Sequence, residues 1–289
     1  MPQQRRRGST LYQNQLVLVT GGSSGIGYQL AHDFLRLGAQ VVIVADRAER
    51  LEQARESLSA VSSDIHAVQC DVGSWVSVES MAQQVLERFG TPDILVNNAG
   101  FGTYRTFEAT SIDEVERLVS VNLVGGLRCA KAFLPAMIAR RHGSIVNITS
   151  IAGCIPITPH GTYSAAKFGT NVWASTLRNE VKRFGIRVHV VCPGRVDTPF
   201  FEHETFKSRK RQGFESRINI TTEDVSRATL RALERGSFMT YVPAYLGPLQ
   251  WLIKSFPVVF NVPIGWLTRR RIETLYHHSR TGVTEVRAR

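Results

Sequence analysis

Short apolar runs alternate along this chain with longer amphipathic stretches, and that alternation restricts the fold more than any other feature. The runs occupy residues 16–19, 41–44, 94–96, 145–148 and 188–191, and apolar side chains fill almost every position in them. A strand that is apolar throughout is buried on both faces, as happens in a parallel sheet covered by helices on both sides. The stretches 27–37, 49–59, 76–89, 112–139 and 163–184 between the runs carry helical patterning. Strict βαβα order predicts an α/β fold with one doubly wound parallel sheet, ligands lying at the carboxyl ends of its strands.

Composition supports one packed domain. With 43% hydrophobic and 20% charged residues among 289, a disordered chain or a coiled-coil rod is excluded. Cys70, Cys129, Cys154 and Cys192 form no CxxC pair and no ligand cluster with histidine, so they read as buried apolar residues and no metal site is expected. The net charge of +11 is concentrated at the ends. Residues 8–200 hold 17 basic and 16 acidic side chains, whereas 201–289 hold 15 against 8 and the first seven residues add Arg5, Arg6 and Arg7. No stripe across the body suggests nucleic acid. Basic ends suit an anionic surface, or serve as solvated charge.

The first run leads into Thr20-Gly21-Gly22-Ser23-Ser24-Gly25-Ile26-Gly27 and then a helix pattern. Glycines let such a turn close tightly and let backbone N–H groups approach a pyrophosphate at a helix N-terminus. Following a buried strand and opening a helix, this turn predicts a dinucleotide site on Gly21, Ser23, Ser24, Gly25, Ile26 and Gly27, and hence a Rossmann fold.

The T-G-x-x-x-G-I-G spacing resembles the short-chain dehydrogenase/reductase family, and the apolar tail and overall form of the chain are similar to its lipid- or steroid-active members. Further motifs follow in family order: Asp71-Val72, Asn97-Asn98-Ala99-Gly100, Asn122, Ser150, Tyr163-Ser164-Ala165-Ala166-Lys167 and Pro193-Gly194-Arg195-Val196-Asp197-Thr198. The resemblance implies that Asp71 and Val72 lie against adenine, that Asn98, Ala99 and Gly100 flank the cofactor, and that Val196 and Thr198 hold its carboxamide. It also implies Tyr163, Lys167, Ser150 and Asn122 as the catalytic set, Asn122 acting through a water linked to Lys167, and a homo-oligomer.

The chemistry of these residues agrees. Tyr163 and Lys167 are four apart and share one helix face. A phenol near pKa 10 is a poor proton carrier at neutral pH, and a neighbouring ammonium together with the nicotinamide cation is expected to lower it. Tyr163 would then pass a proton to or from the substrate oxygen while Ser150 hydrogen-bonds that oxygen. Asp46, after the second strand, can accept the ribose hydroxyls and repel a 2′-phosphate, favouring NAD(H). Arg47 beside it can pair with a phosphate, so NADP(H) stays open. A non-catalytic dinucleotide sensor or scaffold is the alternative, though Tyr163, Lys167 and Ser150 are all retained.

Three segments are expected: a basic tail over 1–14, the catalytic Rossmann domain over 15–243, and an apolar and basic extension over 244–289. Leu249, Trp251, Leu252, Phe256, Phe260 and Trp266, followed by Arg269, Arg270 and Arg271, suit two short pieces at a membrane interface. Capping of the substrate cleft or packing on a second subunit are the competing readings. The stretch 200–217 reads as a charged loop. Ile151, Ile155, Ile157, Pro156 and Pro159, with Phe200 and Phe201 at the entrance, predict a pocket for a hydrophobic ketone or secondary alcohol. With no secretory h-region and no clear spanning helix, the expected location is cytoplasmic, not secreted, with peripheral membrane contact through the extension open.

Overall fold

The computed structural model describes residues 11–198, 200, 220–260, 265–266, 269 and 272–273. Seven parallel strands form one sheet: β1 (Leu16–Thr20), β2 (Gln40–Ala45), β3 (Ile65–Gln69), β4 (Ile94–Asn97), β5 (Gly143–Ile148), β6 (Ile186–Pro193) and β7 (Met239–Val242). Their order is β3-β2-β1-β4-β5-β6-β7. Direction of winding therefore reverses between β1 and β4, where a doubly wound sheet opens a crevice.

The helices are α1 (Gly25–Arg36), α2 (Ala48–Ser59), α3 (Trp75–Arg88), α4 (Ile112–Val119), α5 (Gly125–Arg140), α6 (Gly161–Val181), α7 (Thr222–Arg235) and α8 (Leu246–Ser255). Alternate residues of β1 feed two cores. Val17 and Val19 pack with Leu30, Phe34 and Ile43 on one face, and Leu16 and Leu18 with Met81, Leu95 and Phe133 on the other. Burying each such side chain contributes roughly 1.5–3 kcal/mol. Both cores lie directly beneath the crevice and hold its floor.

The expected helix over 112–139 is divided by a π-helical turn, Ser120–Val124, that carries Asn122. Such turns insert one extra residue and re-aim a side chain, and no periodicity signal marks them in sequence. By length and composition alone, Ile112–Arg140 is apolar enough to cross a membrane. Here Val121, Cys129, Ala130, Phe133 and Met137 of that stretch are buried in the domain core. All four cysteines are buried and free. Tyr12, assigned from sequence to the N-terminal tail, is instead buried, its ring edge-on to Phe34 at 5.1 Å.

Candidate active site

Thr20 ends β1 and acts as a clasp. Its hydroxyl donates to the Val96 carbonyl at 3.2 Å and accepts the N–H groups of Asn98 and Ala99 at 3.0 and 3.1 Å. Asn98 Nδ2 returns hydrogen bonds to the Thr20 and Gly21 carbonyls at 3.0 and 3.1 Å. The turn after β1 is thus tied to the end of β4. Gly21 has φ +64°, and a Cβ there would stand 2.9 Å from both Ala99 Cα and Asn98 Nδ2. Only glycine meets both demands. Ser24, the N-cap of α1, makes no side-chain cap. The first N–H groups of α1 therefore have no side-chain acceptor at the cap, an arrangement suited to an anion.

Across the cleft stand Ser150, Tyr163 and Lys167. Ser150 follows β5 and caps a short 3-10 turn, its Oγ accepting the Ala152 N–H at 3.1 Å. Lys167 is buried, donates to the Ile148 carbonyl at 3.1 Å, and lies 5.8 Å from the Tyr163 ring centroid. Burial lowers the Lys167 pKa to about 8. For Tyr163 burial dominates as well and raises the phenol to about 12, against the opposing pull of a hydrogen bond with Ser150. From sequence, Lys167 and the nicotinamide cation together are expected to lower the phenol. In the protein without the nicotinamide cation, desolvation sets the phenol's direction, because a low-dielectric enclosure penalises phenolate as it does ammonium.

Asn122 lies behind this group. Its Oδ1 accepts the Phe101 N–H at 2.9 Å and its Nδ2 donates to the Phe101 carbonyl at 2.6 Å. With Lys167, Thr20, Asn97, Asn147 and Thr170 it lines a narrow polar void of about 10 Å³, on the scale of a single water.

At the outer end, Asp46, Arg47 and Arg50 line the cleft, and Gln69 Nε2 fixes the turn by donating to the Asp46 carbonyl at 2.9 Å. Asp71 is gripped by Arg117 through two bonds of 2.8 and 3.1 Å and accepts the Gly73 N–H. Burial raises the Asp71 carboxyl, but Arg117 and Gly73 outweigh it and leave the pKa below the usual carboxylate range.

One cleft of about 920 Å³ collects these parts. Of the site residues expected from sequence, Gly21, Ser23, Ser24, Gly25, Ile26, Asp46, Arg47, Asp71, Val72, Asn98, Ala99, Gly100, Ser150, Tyr163, Lys167, Val196 and Thr198 line it. Gly27 and Asn122 do not. Gly27 packs against the Gly21 carbonyl, so its role is close approach of helix and turn. At the substrate end, Ile151, Ile157 and Phe200 line the cleft, while Ile155, Pro156 and Pro159 do not. Phe201 lies outside the described residues. Phe101, His160, Arg50 and Arg117 also line the cleft and were not anticipated. Arg117 sits 46 positions from its partner Asp71, beyond any spacing rule. His160 closes the pocket beside Tyr163, with Nδ1–H donating to the Thr103 carbonyl at 2.8 Å and the two rings 6.3 Å apart.

Comparison with known proteins matches this architecture. Residues 15–208 match the family model described as short chain dehydrogenase. A "Dehydrogenase/reductase SDR family protein 7-like" from Anopheles gambiae is 30% identical, the match covering 93% of this chain and 87% of that protein. "Epidermal retinol dehydrogenase 2" from Mus musculus is 33% identical over 87% of this chain and 81% of its own. A Burkholderia phymatum short chain dehydrogenase/reductase solved with NAD shares the fold at TM-score 0.77 and 22% identity, covering 86% and 95% of the two chains. A metagenomic short-chain oxidoreductase solved with NADP gives TM-score 0.66 at 30% identity, covering 80% of this chain and 96% of that one. The chain belongs to the short-chain dehydrogenase family and is an NAD(P)-dependent oxidoreductase acting on CH–OH groups.

Proposed function

We propose that this protein interconverts a hydrophobic ketone and its secondary alcohol, with Tyr163 as the acid/base. The observation carrying this reading is the meeting of Tyr163, Ser150 and Lys167 in a cleft whose substrate end is lined by Phe101, Ile151, Ile157 and Phe200. The name of the mouse relative, a retinol dehydrogenase, supports the hydrophobic character of the substrate, although retinol itself is a primary alcohol.

The residues present fit a dinucleotide. Gly21 and Gly25 hold positive φ at the turn, and the uncapped start of α1 suits its phosphates. Val72, Asn98, Ala99 and Gly100 would flank it, Asp71 would face the adenine, and Val196 and Thr198 would hold the carboxamide. Bound NAD(P)(H) supplies or accepts the hydride. Tyr163 Oη passes the proton to the carbonyl oxygen in reduction, or takes it from the alcohol in oxidation. Ser150 hydrogen-bonds the same oxygen as charge develops on it. Lys167 holds positive charge beside the phenol and, with Asn122 and the small polar void, forms the route by which Tyr163 is reprotonated. Asp46 makes NAD(H) the preferred cofactor, with Arg47 and Arg50 pulling toward NADP(H). Peripheral membrane contact through 244–289 brings such a substrate to the cleft, and the protein is a homo-oligomer.

A panel of long-chain acyl ketones, sterols, retinoids and sugars, tested with NADH and NADPH, checks the substrate class. Turnover on sugars alone would end the hydrophobic reading. Tyr163→Phe keeps the ring and removes the proton, so turnover should fall by roughly 10²–10⁴-fold with cofactor affinity little changed. Near-normal turnover in that variant would remove Tyr163 from the mechanism.

A further inference from the structure

A second concavity lies between α7 and the edge strand β7, a groove of about 470 Å³ lined by Asp224, Arg227, Arg231 and Arg235, by the apolar Ile220, Ala228 and Ala232, and by residues 240–244. The three arginines are four residues apart, so they form one row along α7, and all three are exposed. Arg227 pairs with Asp224 at 3.3 Å, whereas Arg231 and Arg235 make no ion pair among the described residues. Three guanidinium groups thus meet one carboxylate, Asp224, in the groove, leaving it net positive.

The groove ends at Ala244, and the exposed apolar surface begins at the next residue. Among the described residues, eight of the 14 exposed large apolar side chains fall from Tyr245 to Trp266, with Trp251, Phe256 and Val258 more than half exposed. Leu246 is the one buried residue of α8. No described residue of this extension lines the cofactor cleft. Buried Leu246 and Lys254, 5.4 Å over the Phe168 ring, hold α8 to the domain, whereas Trp251, Leu252 and Phe256 stay exposed, and a basic groove adjoins this segment.

We propose that the Arg227–Arg231–Arg235 groove binds the headgroups of an anionic phospholipid bilayer, with α8 inserted beside it. This rests on the peripheral-membrane reading above and supplies its charged component. A soluble phosphate would need the arginines but not the adjoining tryptophan and phenylalanine. A second copy meeting this row across a two-fold axis would set arginine against arginine. Aromatic side chains next to guanidinium groups suit the interface between headgroup and acyl chain.

Co-sedimentation of the full chain with phosphatidylcholine vesicles, with and without phosphatidylserine, at low and high salt, tests the proposal. Each arginine near an anionic surface is worth about fivefold in affinity. The variant Arg227→Gln/Arg231→Gln/Arg235→Gln should therefore lose about 10²-fold on phosphatidylserine vesicles at low salt and lose most of its salt dependence. Trp251→Ser/Phe256→Ser should lose binding to both vesicle types. All five positions are exposed, and unchanged NADH binding checks that each variant is folded. Unaltered phosphatidylserine binding in the arginine variant, with loss in the Trp251/Phe256 variant, overturns the headgroup site and leaves membrane contact standing. Wild-type protein that sediments with no vesicle overturns both. In that case a dimer that becomes monomeric on Trp251→Ser/Phe256→Ser assigns α8 to a second copy. Protection against thermal unfolding by inorganic phosphate, without preference for phosphatidylserine, overturns the lipid in favour of a soluble anion.

Discussion

The two walls of the cleft are built by different physics. The wall formed by the ends of β1 and β4 is mostly backbone, with Gly21 held against Ala99 and the Thr20 hydroxyl bonding three main-chain groups. The wall formed by Ser150, Tyr163 and Lys167 is side chain, and its proton affinities are set by enclosure, which lifts the phenol to about 12 and lowers the ammonium to about 8. A backbone wall responds to volume. A side-chain wall responds to charge and pH. Perturbing each separately shows whether the division holds.

The largest effect is expected on the backbone wall. Gly21→Ala adds a Cβ 2.9 Å from Ala99 Cα at φ +64°. Relief requires the turn to move, and a displacement near 1 Å at a binding site can cost about 10²-fold. Cofactor affinity measured by NADH fluorescence should fall by that order. The strained φ should also remove about 1–2 kcal/mol of stability in urea. Affinity within a few-fold of wild type would mean that the turn has slack and the wall is not defined by volume.

At the outer rim the backbone wall gives way to exposed charge, and a smaller effect is expected. Asp46→Ala removes an exposed carboxylate at the outer rim of the cleft, and Asp46→Arg adds a cation beside Arg47 and Arg50. A charge-assisted hydrogen bond contributes about 1.5–3 kcal/mol, so the NADP(H)/NAD(H) ratio of kcat/KM should rise by one to two orders of magnitude across the pair. A ratio that stays put in both variants would assign selection to Arg47 and Arg50.

Legibility in the sequence follows the same division. Features written in local spacing, such as the unbroken apolar runs of β1 and β2 and the glycines after β1, place the sheet and the backbone wall. Four-residue spacing puts Tyr163 and Lys167 on one face of α6. What spacing does not contain is enclosure: nothing between residues 163 and 167 reveals that the site is desolvated enough for burial to raise the phenol and lower the ammonium. Nor does it contain partners distant in sequence, such as Arg117 for Asp71, or the π-helical turn at Asn122. Ile155, Pro156 and Pro159 were assigned to the pocket by their position between Ser150 and Tyr163, yet the chain there turns away and Phe101 and His160 take the wall. Helix α7 begins with a capping box between Thr221 and Asp224, and its arginine row becomes a groove only once β7 lies beside it.

The smallest effect isolates charge in the side-chain wall. Lys167 has a pKa of about 8 in the folded protein and 10.5 ordinarily, so between those values the unfolded chain binds more protons than the folded one. Stability contributed by this group therefore rises as pH increases from 8 toward 10.5 and is lost as pH falls through 8. Lys167→Met removes the titration while keeping much of the volume. The melting temperature of wild type relative to Lys167→Met should climb between pH 7.5 and 10, by a few degrees for a shift of about 1.4 kcal/mol per pKa unit. Tyr163 interferes little in this window, because its raised pKa lowers stability mainly above pH 10, the midpoint at which unfolded tyrosine loses its proton. A difference that is flat with pH would mean that Lys167 titrates normally, that the side-chain wall is hydrated, and that the contrast with the backbone wall is one of composition alone.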